Sequence, residues 1–111
     1  MDIVETDLHG VLILEPSGSI DSTNAKAFSA RVLDVAQARQ SNVVIDFNKI
    51  KFISSAGFRS LLVIGKSIEN AQRKLVLCGM SPEVERIFEI GMFSNVFVVC
   101  ASREDAAAQA A

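Results

Sequence analysis

Two short, almost wholly apolar runs, Val43-Val44-Ile45-Asp46-Phe47 and Leu75-Val76-Leu77-Cys78, bracket a stretch whose apolar residues recur at helical spacing. Runs of that length and character suit strands covered on both faces. Two such strands joined through a helix make a right-handed crossover within a parallel sheet. The pattern repeats on either side: a helical stretch precedes Val43, and Val96-Phe97-Val98-Val99-Cys100 supplies another apolar run near the end of the chain. Strands alternating with helices define an α/β class.

The start of the chain is different. Ile3 to Thr6 and Val11 to Glu15 are β-prone and flank Leu8-His9-Gly10, whose glycine can take the positive φ of a tight turn, so the chain opens with a β-hairpin. The hairpin adds an antiparallel pair, and the element count predicts a mixed sheet of about five strands with about four helices.

Helix boundaries follow from punctuation. After Pro16-Ser17-Gly18-Ser19, which reads as a break, Asp21, Ser22 and Thr23 offer caps for a helix to about Gln40 with Ala25, Phe28, Val32 and Val35 inward. Ser54 or Ser55 caps a second helix to about Gln72, with Phe58, Leu61, Leu62, Gly65 and Ile68 toward the core. Ser81 and Pro82, with Glu83 and Glu85 at the positive end, start a third that Gly91 stops. Ser102-Arg103-Glu104-Asp105 has the form of a cap before the alanine-rich Ala106 to Ala111, which predicts a frayed terminal helix. Met80 and Met92 read as gap-fillers near loop ends.

A chain of 111 residues is the size of one domain, spanning 1–111, and a balance of 50% hydrophobic and 22% charged residues is that of a packed globule. With 11 basic against 13 acidic side chains and net charge −2, the Lys and Arg residues scattered singly, direct nucleic-acid binding is not expected. Cys78 and Cys100 each close an apolar run, so they read as small buried hydrophobes rather than a disulfide or a metal pair. The acidic opening lacks the order of a signal peptide, and no apolar run nears the roughly 18 residues of a membrane span. The expectation is a cytoplasmic protein without membrane insertion.

The most informative stretch is Phe52-Ile53-Ser54-Ser55-Ala56-Gly57-Phe58, a serine pair at a helix start following a strand and a loop. It resembles the Phe-x-[Asp/Ser]-Ser-[Ser/Ala]-Gly-[Leu/Phe] motif of the STAS-domain anti-sigma factor antagonists. The resemblance extends through Gly18-Ser19-Ile20-Asp21, Val76-Leu77-Cys78-Gly79-Met80-Ser81-Pro82 and Arg86-Ile87-Phe88. It implies a STAS-like fold and a phosphoacceptor at Ser55. Many relatives carry aspartate just before that serine, so Ser54 here is a departure that leaves it as the alternative site.

The chemistry of a helix start is compatible with such a role. Its first N–H groups lack helical partners and sit at the positive end of the dipole, where a phosphate is tolerated. Ala56 and Gly57 read as keeping the approach clear for a kinase. Simple capping is the plain reading of either serine, and capping and modification are compatible. The resemblance further implies that the loop with Asp21 and Asn24 lies beside Ser55; Asn24 reads as a helix cap, and Asp21 either as a cap or as part of the phosphorylation surface. Arg59, Val63 and Lys66 follow Ser55 at steps of four, four and three, so they share one outer face, either solvated or used for docking.

Other candidates fall away. His9, the only histidine, sits in the predicted turn. Asp46 would suit a receiver-type phosphoacceptor only with an acidic pair after an earlier strand, and Pro16-Ser17-Gly18 offers none. No P-loop, dinucleotide fingerprint or nucleophile elbow is present. Neither a catalytic residue, a metal nor a cofactor is expected. The resemblance implies a partner-switching module: the unphosphorylated chain binds an anti-sigma factor that is itself a serine kinase and releases the sigma factor, phosphorylation at Ser55 ends binding, and a metal-dependent serine phosphatase restores it. Two other roles stay open, a STAS regulatory subunit of a transporter or scaffold without phospho-switching, and a weak nucleotide-binding module.

Overall fold

The computed structural model describes residues 1–91 and 96–111, so the reading of Met92 lies outside the described residues. The elements run β1 (Ile3–Leu8), β2 (Val11–Ile20), α1 (Ala25–Arg39), β3 (Val43–Asp46), β4 (Lys49–Ile53), α2 (Ser55–Asn70), β5 (Leu75–Cys78), α3 (Pro82–Ile90), β6 (Val98–Cys100) and α4 (Arg103–Ala110). The mixed α/β class stands, with a sheet of six strands among the described residues in place of about five.

The hairpin pairs β1 and β2 antiparallel, and both His9 (φ 54°) and Gly10 (φ 84°) take the left-handed backbone that a two-residue turn of this hand requires. From β2 inward the sheet is parallel, in the order β1-β2-β3-β5-β6. The additional strand is β4. It pairs with the second half of β2, Ser17 to Ile20, which the Pro16-Ser17-Gly18-Ser19 sequence had marked as a break. Pro16 is accommodated opposite Ile3 near the outer end of β1, and Gly18 at φ 98° sits where the register slips by one residue.

Alternation of side chains divides the sheet into two faces. Leu12, Leu14, Ile45, Phe47 and Leu77 meet Phe28, Val32, Phe58, Leu61, Ile64 and Phe88 from α1, α2 and α3 in the main core. Val11, Ile13, Val44, Val76 and Cys78 meet Ala106, Ala107 and Ala110 of α4 on the other side. The terminal helix is therefore docked rather than frayed. Its alanines are buried at 0%, 5% and 0% exposure, Ser102 Oγ accepts from Asp105 N at 3.1 Å, and Asn42 Nδ2 donates to the Ala110 carbonyl. Arg103 completes the attachment, donating through Nε (3.0 Å) and Nη2 (2.9 Å) to Asp46 Oδ2 and through Nη2 to Glu15 Oε2 at 3.3 Å.

One core assignment is corrected. Leu62 is 37% exposed, because steps of 100° place it within about 20° of Ser55 on the outer face of α2, and Ile64 fills the core position instead. Val35 is half-buried, with Ala36 completing the inward stripe of α1. Met80 packs against the main core as expected.

Candidate functional site

Strands β2 and β4 run side by side and end together, Ile20 opposite Ile53. The chain leaves both strands at the same level, so the β2–α1 loop and the start of α2 are neighbours. Ser54 N donates to the Ile20 carbonyl at 2.9 Å, joining the two segments directly.

The two serines have different environments. Ser54 is the N-cap: its backbone is extended (φ −89°, ψ 175°) and its Oγ accepts from Gly57 N at 3.3 Å. Ser55 is the first residue of α2, exposed, and its hydroxyl has no hydrogen-bond partner among the described residues. The capping that either serine could have provided thus falls to Ser54.

Gly57 departs from the sequence reading. It is buried, and a Cβ there would lie 2.5 Å from Ile53 Cγ1 and 2.7 Å from the Ile20 carbonyl oxygen. The glycine lets the first turn of α2 close onto the ends of β2 and β4, a packing requirement that the sequence reading did not include. The half-buried Ala56 lies on the side of α2 that faces α1. Ser60, one turn on, is buried and donates from Oγ to the Gly57 carbonyl at 2.6 Å.

Asp21 and Asn24 order the neighbouring loop. Asp21 Oδ1 accepts from the Thr23 hydroxyl (2.5 Å) and the Thr23 amide (2.9 Å), and these bonds hold its carboxyl below the usual carboxylate range. Asn24 stands at the N-cap position of α1, yet its side chain makes no capping bond. Instead Oδ1 accepts from Asp21 N at 2.9 Å and Nδ2 donates to the Ser19 carbonyl at 2.8 Å, tying the loop back to β2. The expected cap is thus a loop clamp, since the Asp21 carbonyl already receives the Asn24 and Ala25 amides.

The outer face of α2 is split. Arg59 and the 56%-exposed Val63 line a cleft between α1 and α2, together with Ser22, Ala25, Lys26 and Ala56. Lys66, exposed on the same face of the helix, lines a second groove toward β6 with Leu62 and Glu69.

Lys26 in the cleft and Phe52, 48% exposed on the strand leading into Ser54, were not picked out from sequence. Simple alternation from the buried Ile50 would bury Phe52 too. The slipped register between Gly18 and Ser19 leaves Lys51 as an extra residue on β4 and turns Phe52 outward, with Ile53 inward. Lys26 follows the buried Ala25 on α1, so its position beside the helix seam was the available signal.

Groups elsewhere are occupied. Asp46, 5% exposed, is taken by Arg103 and by Asn48 N at 2.9 Å, and the same ion pair raises the Arg103 pKa. Burial, then the Asp46 charge, pushes the Cys78 thiol up to about 12, so it is a neutral core group. Among the described residues no cluster of His, Cys, Asp or Glu could hold a metal, and no helix is long and apolar enough to cross a membrane.

Fold and site together define a small mixed α/β domain that presents the Ser55 hydroxyl, unengaged among the described residues, at a helix start on the rim of its sheet. Comparison with known proteins agrees on the family and the fold. The STAS domain model matches residues 2–106. BtrV of Bordetella bronchiseptica, named as an anti-sigma factor antagonist, is 36% identical over 108 residues, covering 97% of this chain and 93% of that one. An anti-sigma factor antagonist structure from Thermotoga maritima superposes with TM-score 0.87 at 18% identity, over 97% of this chain and 93% of the other. The Bacillus protein SpoIIAA, solved in its phosphorylated form, gives TM-score 0.68 at 16% identity over 97% and 98% of the two chains. The chain belongs to the STAS domain family, among relatives named as anti-sigma factor antagonists.

Proposed function

We propose that this chain acts as one STAS unit in the cytoplasm, a non-catalytic antagonist whose unmodified form binds an anti-sigma factor and so releases the sigma factor. The anti-sigma factor is itself a serine kinase that modifies Ser55. In that step Ser55 Oγ bonds to the γ-phosphorus of a nucleoside triphosphate, the bond from that phosphorus to the bridging oxygen breaks, the nucleoside diphosphate leaves, and the hydroxyl proton passes to a base of the kinase. A metal-dependent serine phosphatase reverses the modification by hydrolysis.

The observation that carries this reading is the division between the serines: Ser54 Oγ is committed to capping α2, while the adjacent Ser55 hydroxyl is exposed and without a partner among the described residues. A phosphate there adds about −1.5 to −2 charges at an exposed helix start that adjoins the end of β2 through the Ser54–Ile20 hydrogen bond. Desolvating that charge against a docked partner costs several kcal/mol, and each 1.4 kcal/mol is about tenfold in affinity. The STAS fold is also that of SpoIIAA, a protein solved in a phosphorylated form.

The test is incubation with the anti-sigma kinase encoded nearest this gene, with ATP and magnesium, followed by site-mapping mass spectrometry of wild type, Ser54→Ala and Ser55→Ala. Phosphate on Ser55 in wild type and Ser54→Ala, and none in Ser55→Ala, is the expected result. Wild-type rates of modification in Ser55→Ala would overturn the assignment.

A further inference from the structure

The cleft between α1 and α2 has a volume of about 330 Å³ and is lined by the apolar Ala25, Ala56 and Val63 together with Ser22, Ser29 and Ser60. Its two charged lining residues are Lys26 on α1 and Arg59 on α2, and no carboxylate lines it. Neither cation has a side-chain hydrogen bond or ion pair among the described residues. This sets the cleft apart from the larger groove of about 680 Å³ beside β6, whose lining includes the carboxylate of Glu69 as well as Lys66. There Arg73 and Lys74 already donate to the carbonyls of Ala36 (3.0 Å) and Ala111 (3.2 Å). An apolar slot between two unpaired cations complements one kind of surface, an apolar side chain with carboxylates on either side.

Arg59 has a second relation. It stands four residues after Ser55 on the same helix, where side chains meet, and an anion placed N-terminal to a cation at that spacing is the favourable order. We propose that the α1–α2 cleft receives an apolar side chain flanked by carboxylates from the partner that docks on the Ser55 face, with Lys26 and Arg59 taking the carboxylates. We propose further that a phosphate on Ser55 draws Arg59 into an intramolecular pair and removes it from that contact. Phosphorylation then acts by withdrawing an attraction as well as by adding repulsion. The inference rests on the docking role proposed for the Ser55 face and adds the partner's chemistry and the residue that responds to the phosphate.

The experiment uses chain carrying phosphoserine at position 55 by genetic incorporation, so that no kinase is needed to make it. In ³¹P NMR titrations, with Asp21, Lys26 and Arg59 as the charged groups around the phosphate, its second pKa is expected to lie about 0.5 lower in wild type than in Arg59→Ala, with Arg59→Lys between them. Equal values would overturn the intramolecular pair. In parallel, calorimetric titration against the nearest-encoded anti-sigma kinase is expected to show unmodified Lys26→Ala and Arg59→Ala each binding on the order of tenfold more weakly than wild type, with melting temperatures unchanged. The further loss on phosphorylation should be severalfold smaller in Arg59→Ala than in wild type, a coupling that a merely structural arginine would not produce. Wild-type affinity in both variants, or strictly additive losses, would sink the proposal. Failure of unmodified wild type to bind the kinase would instead overturn the docking role itself, while the NMR arm still reads the Arg59 contact.

Discussion

Ser54 and Ser55 are the same residue type one position apart, and the helix gives them different work. Ser54 Oγ accepts from Gly57 N, so Ser54→Ala should cost about 0.5–1 kcal/mol in urea unfolding, and Ser55→Ala should stay near zero. A larger loss from Ser55→Ala would mean that Ser55 is the cap. Gly57 allows a sharper test. A Cβ there would sit 2.5 Å from Ile53 and 2.7 Å from a backbone oxygen, so Gly57→Ala should lose about 1–3 kcal/mol although alanine is the better helix former. Asp21 gives a pH dependence. Thr23 lowers its folded pKa below the ordinary 3.8, so its charged form contributes stability above that value, and the contribution is lost as pH falls through the lowered one. Asp21→Asn should therefore be less stable than wild type near neutrality and draw level in acid, as read by urea unfolding from pH 7 to below 3.8; a difference independent of pH would contradict this.

At the scale of elements, α4 shows what alternating burial and one arginine paired with both Asp46 and Glu15 can hold. Asp46 and Arg103 have side-chain exposures of 7% and 28%, so removing the arginine strands a buried carboxylate while some water still reaches the site. Arg103→Ala should cost about 2 kcal/mol, between the values for buried and exposed pairs, with faster hydrogen exchange concentrated in α4. Unchanged exchange there would mean that the three alanines suffice. In the sequence this helix looked frayed, because alanine is neutral in an amphipathic pattern; the apolar face of β2, β3 and β5 that it covers is assembled from distant segments. The strands missed or misread have local causes as well. Lys49-Ile50-Lys51-Phe52-Ile53 breaks strict alternation at Lys51, and Pro16-Ser17-Gly18-Ser19 carries turn residues although it continues β2 opposite that irregularity. The long apolar strands and the caps at Ser81 and Ser102 were legible because each signal lies within a few residues of the structure it specifies. The serine pair was legible too, but which serine caps was not, since that depends on where β2 and β4 end.

The whole molecule places its dry faces and its surface chemistry apart. Three helices cover one side of the sheet and α4 the other, and the Ser55 rim is joined to that body through the Ser54–Ile20 hydrogen bond and the packing of Gly57. A charge added to the exposed Ser55 hydroxyl should leave this body intact while changing what can dock on it. The most direct test pairs two quantities on one sample set, the affinity for the proposed partner, the nearest-encoded anti-sigma kinase, and the melting temperature, for unmodified chain and for chain with phosphoserine at position 55. The account predicts at least a tenfold loss of affinity, about 1.4 kcal/mol or more, with the melting temperature shifted by no more than about 2 °C. Equal affinity in the two forms, or a parallel fall of affinity and melting temperature, would contradict it.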